Sequence, residues 1–193
     1  MYITRPDEMR SILNISSISL SNVRVKEEHF GSLVCYISLL LTTLRRLFLI
    51  KKFSRILIMK LVYLLDREAL YSLGITVTKM LYINYFQGPY NPSVIDALEH
   101  LVDIGVLVHG AATYEYKIAS IKDISNLAKE AKDALLNGCR KLGIDYVNFR
   151  GIALRTIRKT VELDSRGLLV AYVHSLPEVR QTPFGKVILL KMR

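Results

Sequence analysis

Cysteine and histidine are scarce in this chain, and nothing groups them. Its two cysteines, Cys35 and Cys139, lie far apart in no C-x-x-C pair. That spacing argues for reduced core thiols and against a disulfide framework or a zinc site. His29, His100, His109 and His174 show no metal-ligand spacing, so each reads as a polar-face or internally satisfied histidine. The sequence also lacks a Walker motif, a G-x-S-x-G elbow and an H-E-x-x-H pair, which removes the usual marks of phosphate-loop, serine-hydrolase and zinc-peptidase chemistry. Asp66 and Glu68 come nearest to paired acids. Two residues apart on a helix they point to different faces, so a solvated surface is expected for both. Gly88-Pro89 offers too few backbone N–H donors for a phosphate loop. The expectation is a protein without catalytic residues, cofactor or metal.

A long hydrophobic run is missing too. Leu33 to Leu44 is apolar except for Tyr36, Ser38, Thr42 and Thr43, and then meets Arg45-Arg46. A membrane span needs about 20 apolar residues, and the run follows acidic residues too far along to resemble a secretory signal. Residues 1–54 are therefore set apart as an N-terminal extension, either an amphipathic helix or a start-site artefact ahead of Met59. Membrane attachment through residues 33–58 is the weakest of the partner readings.

What is present is a chain of 193 residues with 51% hydrophobic residues, room for one core, and a net charge of +10. The charge is spread: nine Lys/Arg against four Asp/Glu in residues 1–58 give +5, and eighteen against thirteen in the remainder give +5 again. A basic balance of this kind admits nucleic acid, anionic membrane or an acidic protein without choosing among them.

From Arg55 the pattern becomes regular. Leu57, Leu61, Leu64 and Leu65 mark a helix that stops at Gly74. Leu81 to Phe86 reads as a short helix or a strand. Asn91 is a favoured N-cap, Pro92 suits the first helical position, and Gly105 closes a helix faced by Val94, Ala97, Leu98, Leu101 and Val102. Val106 to Val108 and Tyr114 to Ile118 then read as a β-hairpin. Ser120 or Ser125 opens a further helix ending at Gly143, and two more follow over residues 152–163 and 168–174. The fold class is mainly α, a compact helical domain over residues 55–193 with one small hairpin in winged-helix order.

Two surfaces carry the candidate contacts. Tyr82, Tyr85, Phe86 and Tyr90 cluster around the Gly88-Pro89 turn, where they either pack a helix joint or meet a partner. Tyr90, between two prolines, is expected to be the most exposed. Arg155, Arg158 and Lys159 share a helix face that suits phosphates or an acidic partner, opposite Ile152, Leu154, Ile157 and Val161.

At these residues the chain resembles the Panacea domain, the SocA-like antitoxin family. Lys60-Leu61-Val62-Tyr63-Leu64 matches K-L-x-Y-L, Tyr85-Phe86-Gln87-Gly88-Pro89 matches Y-x-x-G-P, and Leu101 to Val106 matches L-x-x-x-G-[ILV]. Tyr172-Val173-His174-Ser175-Leu176 looks like the family's late element, with Val173 in place of a threonine. The likeness covers residues 55–118 and leaves the first 50 residues and the basic stripe outside it. It implies a cytoplasmic antitoxin that binds and neutralises a cognate toxin, in some members as an adaptor to a protease or with control of operator DNA. Tyr85, Gln87, Gly88, Pro89, Tyr90 and Asn91 are the expected partner contacts. The second reading is a winged-helix DNA-binding regulator, resting on charge, element order and the Arg155 stripe. Ser93, Asp96, Glu99, His100 and Asp103 on the capped helix oppose it, because base-reading helices carry Arg, Lys, Asn or Gln.

Overall fold

A computed structural model describes residues 23–190 apart from Thr113. The described residues form seven helices and two antiparallel three-stranded sheets. In chain order these are α1 (Glu27–Phe48), β1 (Lys52–Ser54), α2 (Arg55–Leu73), β2 (Tyr82–Tyr85), β3 (Gly88–Tyr90), α3 (Pro92–Asp103), β4 (Leu107–His109), β5 (Glu115–Ile118), α4 (Ile121–Lys141), α5 (Tyr146–Ser165), α6 (Leu169–Ser175), α7 (Pro177–Arg180) and β6 (Val187–Ile188). The mainly helical class expected from the sequence is the one observed.

The central helix is α2. Every position from Leu57 to Arg67 is buried, so the buried side chains go round its whole circumference, the mark of a helix enclosed by protein on every side. Ser54 caps its start by accepting from Leu57 N, and Gly74 ends it at φ 67°. Helices α3, α5 and α6 pack on α2, and α1 packs on α4 and α3.

The segment set apart as an N-terminal extension is, from Glu27 onward, part of this core. Leu33, Val34, Ile37, Leu40, Leu41 and Leu44 of α1 are buried against α4 and α3. A chain beginning at Met59 would lose α1, β1 and the first turn of α2, exposing that surface. Helix α1 has the length and apolarity of a membrane-crossing helix, yet half of its apolar window is buried inside the protein. The part of the extension before residue 23 lies outside the described residues.

Strand β1 joins the hairpin to make a sheet of order β1-β5-β4, with Phe53 opposite Tyr116 and Leu107 opposite Ile118. Helix, strand, helix, helix and hairpin follow in winged-helix order, with β2–β3 inserted between α2 and α3. That insertion is a second sheet, of order β3-β2-β6, where one small hairpin was expected. Its register pairs Ile83 with Tyr90 and also with Val187, so the chain's last described strand closes onto its middle.

Candidate functional site

The β2–β3 hairpin turns through Phe86 and Gln87, and the Gly88-Pro89 pair expected to be the turn is instead strand. Gly88 has φ +87°, and a Cβ there would lie 3.2 Å from Val173 Cγ1 of α6. The backbone conformation therefore favours glycine, and a side chain there would also press on Val173. His174 Nε2 is 3.3 Å from the Phe86 carbonyl oxygen, so α6 holds the hairpin from behind at two points.

The C-terminal segment holds it from the side. Asn84 Nδ2 donates to the carbonyls of Thr182 at 2.6 Å and Val179 at 3.2 Å. Its backbone exchanges hydrogen bonds with Lys186 and Gly185. This return brings Phe184 onto the hairpin, with its ring 5.3 Å from Tyr85 in a stacked arrangement and 4.8 Å from Phe86. Tyr85 also meets Tyr90 at 5.5 Å and Phe86 at 4.9 Å. The result is a four-ring cluster facing solvent, with Phe86 74%, Phe184 57% and Tyr85 39% exposed.

The sequence-derived contact residues divide accordingly. Tyr85 and Gln87 are exposed and Tyr90 is half-buried, whereas Gly88, Pro89 and Asn91 are buried. Asn91 is a framework residue: its Oδ1 caps α3 by accepting from Ser93 N, and its Nδ2 donates to the Val23 and Leu81 carbonyls. Phe86 takes the prominent place expected of Tyr90, because the turn falls two residues earlier than Gly-Pro implies. Tyr82 belongs to the core, edge-on to Tyr63 at 5.1 Å. Phe184 was invisible to local reading, being nearly a hundred residues from Tyr85.

Beneath the rings runs a groove of about 410 Å³, lined by Arg55, Met59, Lys60, Tyr85, Tyr90 and Ile95 among others. Lys60 is 2% exposed, and its Nζ donates to the Pro89 carbonyl oxygen at 2.7 Å. Burial pulls its ammonium down to about 7. Between pH 7 and the ordinary lysine range the unfolded chain binds one more proton than the native one, so stability rises with pH through that window. A ¹³C-lysine NMR titration is expected to show one lysine moving near neutral pH, and Lys60→Met should remove that resonance and flatten the rise in stability.

Asp66 contradicts the solvated reading. It is fully buried and accepts from Val77 N at 2.7 Å, Thr78 N at 2.9 Å, Tyr82 Oη at 2.7 Å and the Thr78 hydroxyl. Glu68 is half-buried and pairs with Arg67. On α5, Arg155 and Lys159 line a separate polar pocket of about 160 Å³ with Glu68 and Tyr172. Lys159 Nζ lies 4.3 Å over the Tyr172 ring and donates to its hydroxyl at 2.8 Å. Arg158 is exposed outside that lining. Cys35 and Cys139 are free thiols. Among the described residues no group of three or more His, Cys, Asp or Glu side chains converges as a metal site would require.

Comparison with protein-family models, with curated proteins and with solved structures finds no match.

Proposed function

We propose that this chain is a cytoplasmic, non-catalytic interaction module of antitoxin type, which binds and neutralises a partner toxin through the β2–β3 hairpin. The observation that carries the reading is the solvent-facing cluster of Tyr85, Phe86, Tyr90 and Phe184 on a braced hairpin. Clustered rings exposed on a rigid support are the usual make-up of interface hot spots. Support also comes from the segments behind the family likeness, since the Y-x-x-G-P strand pair and the late Val173-His174 element touch each other.

The winged-helix order of the elements favours the DNA-binding alternative, but the chemistry of α3 opposes it. Asp96 pairs with Arg24, and Glu99 accepts from Tyr116 Oη at 2.6 Å and faces His109 at 3.2 Å. An outer face of Asp96, Glu99 and Asp103 repels phosphates. Co-expression of the full chain with the product of its neighbouring gene tests the reading. Relief of growth arrest with a stoichiometric complex is expected. No relief, together with steeply salt-dependent retention of upstream DNA, would favour the regulator instead.

A further inference from the structure

The groove under the rings has a chemistry of its own. Two cations, Arg55 and Lys60, line it with Met59, Tyr85, Tyr90 and Ile95, and among the described residues no carboxylate contributes to its wall. Arg55 is exposed at the first turn of α2, whereas Lys60 is buried one and a half turns further along with its Nζ against Pro89. A buried ammonium ordinarily has an anion close by, because desolvating it unpaired is expensive. Here, among the described residues, that place is supplied by the Pro89 carbonyl dipole, in a groove whose volume lies in the range of about 300–1,000 Å³ usual for binding pockets.

We propose that this groove is a carboxylate-binding subsite, which takes an acidic side chain of the partner protein together with an adjoining apolar residue. The inference rests on the hairpin being the partner surface. Tyr85, Phe86 and Tyr90 belong to both the exposed ring cluster and the groove wall, so a segment lying on the rings can lower one residue between them. A carboxylate carries a single charge to match the single buried ammonium, and a charge-assisted bond to Nζ is stronger than the carbonyl contact already present. The lowered affinity of Lys60 for its proton agrees with a site awaiting an anion. A phosphate, with nearly two charges to desolvate, fits less well a floor with one buried ammonium, since the second cation, Arg55, stays at the exposed rim.

The test uses the full chain and three small probes: 3-phenylpropionate, its uncharged amide, and phenyl phosphate. Binding is followed by calorimetry and by the ¹³C resonances of labelled lysines. The acid is expected to saturate the site, to shift the Lys60 resonance, and to bind at least about tenfold more tightly than the amide, as a charged hydrogen bond requires. Lys60→Met should erase the difference between acid and amide. Arg55→Gln, at an exposed position that leaves the fold intact, should weaken the acid severalfold, and it decides the matter if Lys60→Met does not fold. Equal binding of acid and amide, no saturable binding of either, or preference for phenyl phosphate would overturn the proposal. None of these probes involves the toxin. A chain that prefers the acid but forms no complex with the neighbour's product sinks the interaction reading and leaves the pocket. A chain that forms the complex without acid preference does the reverse.

Discussion

Asp66→Ala is expected to lower the unfolding free energy by about 3–4 kcal/mol, because it strands several buried donors at roughly 1–3 kcal/mol each before any water enters. The donors are the backbone N–H groups of Val77 and Thr78 and the hydroxyls of Thr78 and Tyr82. One carboxylate thus ties the segment after α2, and the start of β2, to the middle of the central helix. Asp66→Asn keeps an oxygen for the two N–H groups, and the two hydroxyls can turn to accept from its amide. A loss of about 1 kcal/mol is expected for it. Burial raises the Asp66 carboxyl above its ordinary range against the pull of those hydrogen bonds. A raised native value means that the native state holds the proton longer, so the Asp66 contribution falls as pH rises through that window. The deficit of Asp66→Asn should therefore widen on acidification. Urea titrations of the three chains at several pH values measure all of this, and an Ala variant as stable as the parent would remove Asp66 from the account.

Glu178→Ala should cost about 2–4 kcal/mol, toward the low end of what breaking a buried ion pair costs. Arg67 and Glu178 are 7% and 9% exposed and paired through Nε, and Tyr63 Oη donates to the same carboxylate oxygen at 2.9 Å. Arg67 keeps Glu68 and the face of Tyr71, 4.4 Å from its guanidinium, which moderates the loss. Burial alone would raise the Glu178 carboxyl, but the bonds and charge of Arg67 outweigh it and hold the carboxyl below its ordinary range. Its stabilisation is therefore present above the ordinary carboxylate range and fades as pH falls through the native value. The Glu178→Ala deficit should shrink in acid while that of Asp66→Asn grows, a contrast that separates the two effects in one set of titrations. Glu178 also anchors α7, from which the chain returns to β2 and delivers Phe184 to Tyr85. Partner affinity should fall in this variant beyond the loss of folded protein.

Local signals in the sequence marked several helix ends, although α5, expected over residues 152–163, begins at Tyr146 behind an Asp145 cap. Asn91 and Ser120 cap α3 and α4 through their side chains, and Gly74 takes the left-handed conformation that its place after α2 requires. These features depend on residues within one turn of each other. Long-range pairing was not legible. The Gly-Pro pair reads as a turn until β6, a hundred residues later, gives β2 a second neighbour and makes strand of its surroundings. Asp66 beside Arg67 and Glu68 has the look of a charged surface, and only the Thr78–Tyr82 segment folding over it makes it core. Helix α1 reads locally as lying outside the domain because the surfaces it covers, on α3 and α4, lie far along the chain. Lys60 carried a local signal, a single lysine between Ile56 and Leu65 in an otherwise apolar stretch. Its part in the groove needed Pro89 and Tyr90 to be placed against it.

The most direct measurement is the affinity of the full chain for the neighbouring gene's product, compared among the parent, Phe86→Ser and Val147→Ser. Phe86 and Val147 are both 74% exposed, so neither change should disturb the core, and only Phe86 belongs to the ring cluster. An exposed anchor ring at a hot spot is worth about 2 kcal/mol or more, which is about 30-fold in Kd. A loss of that size is expected for Phe86→Ser and none for Val147→Ser. A tight complex that Phe86→Ser leaves unchanged would contradict the hairpin's role as the partner surface.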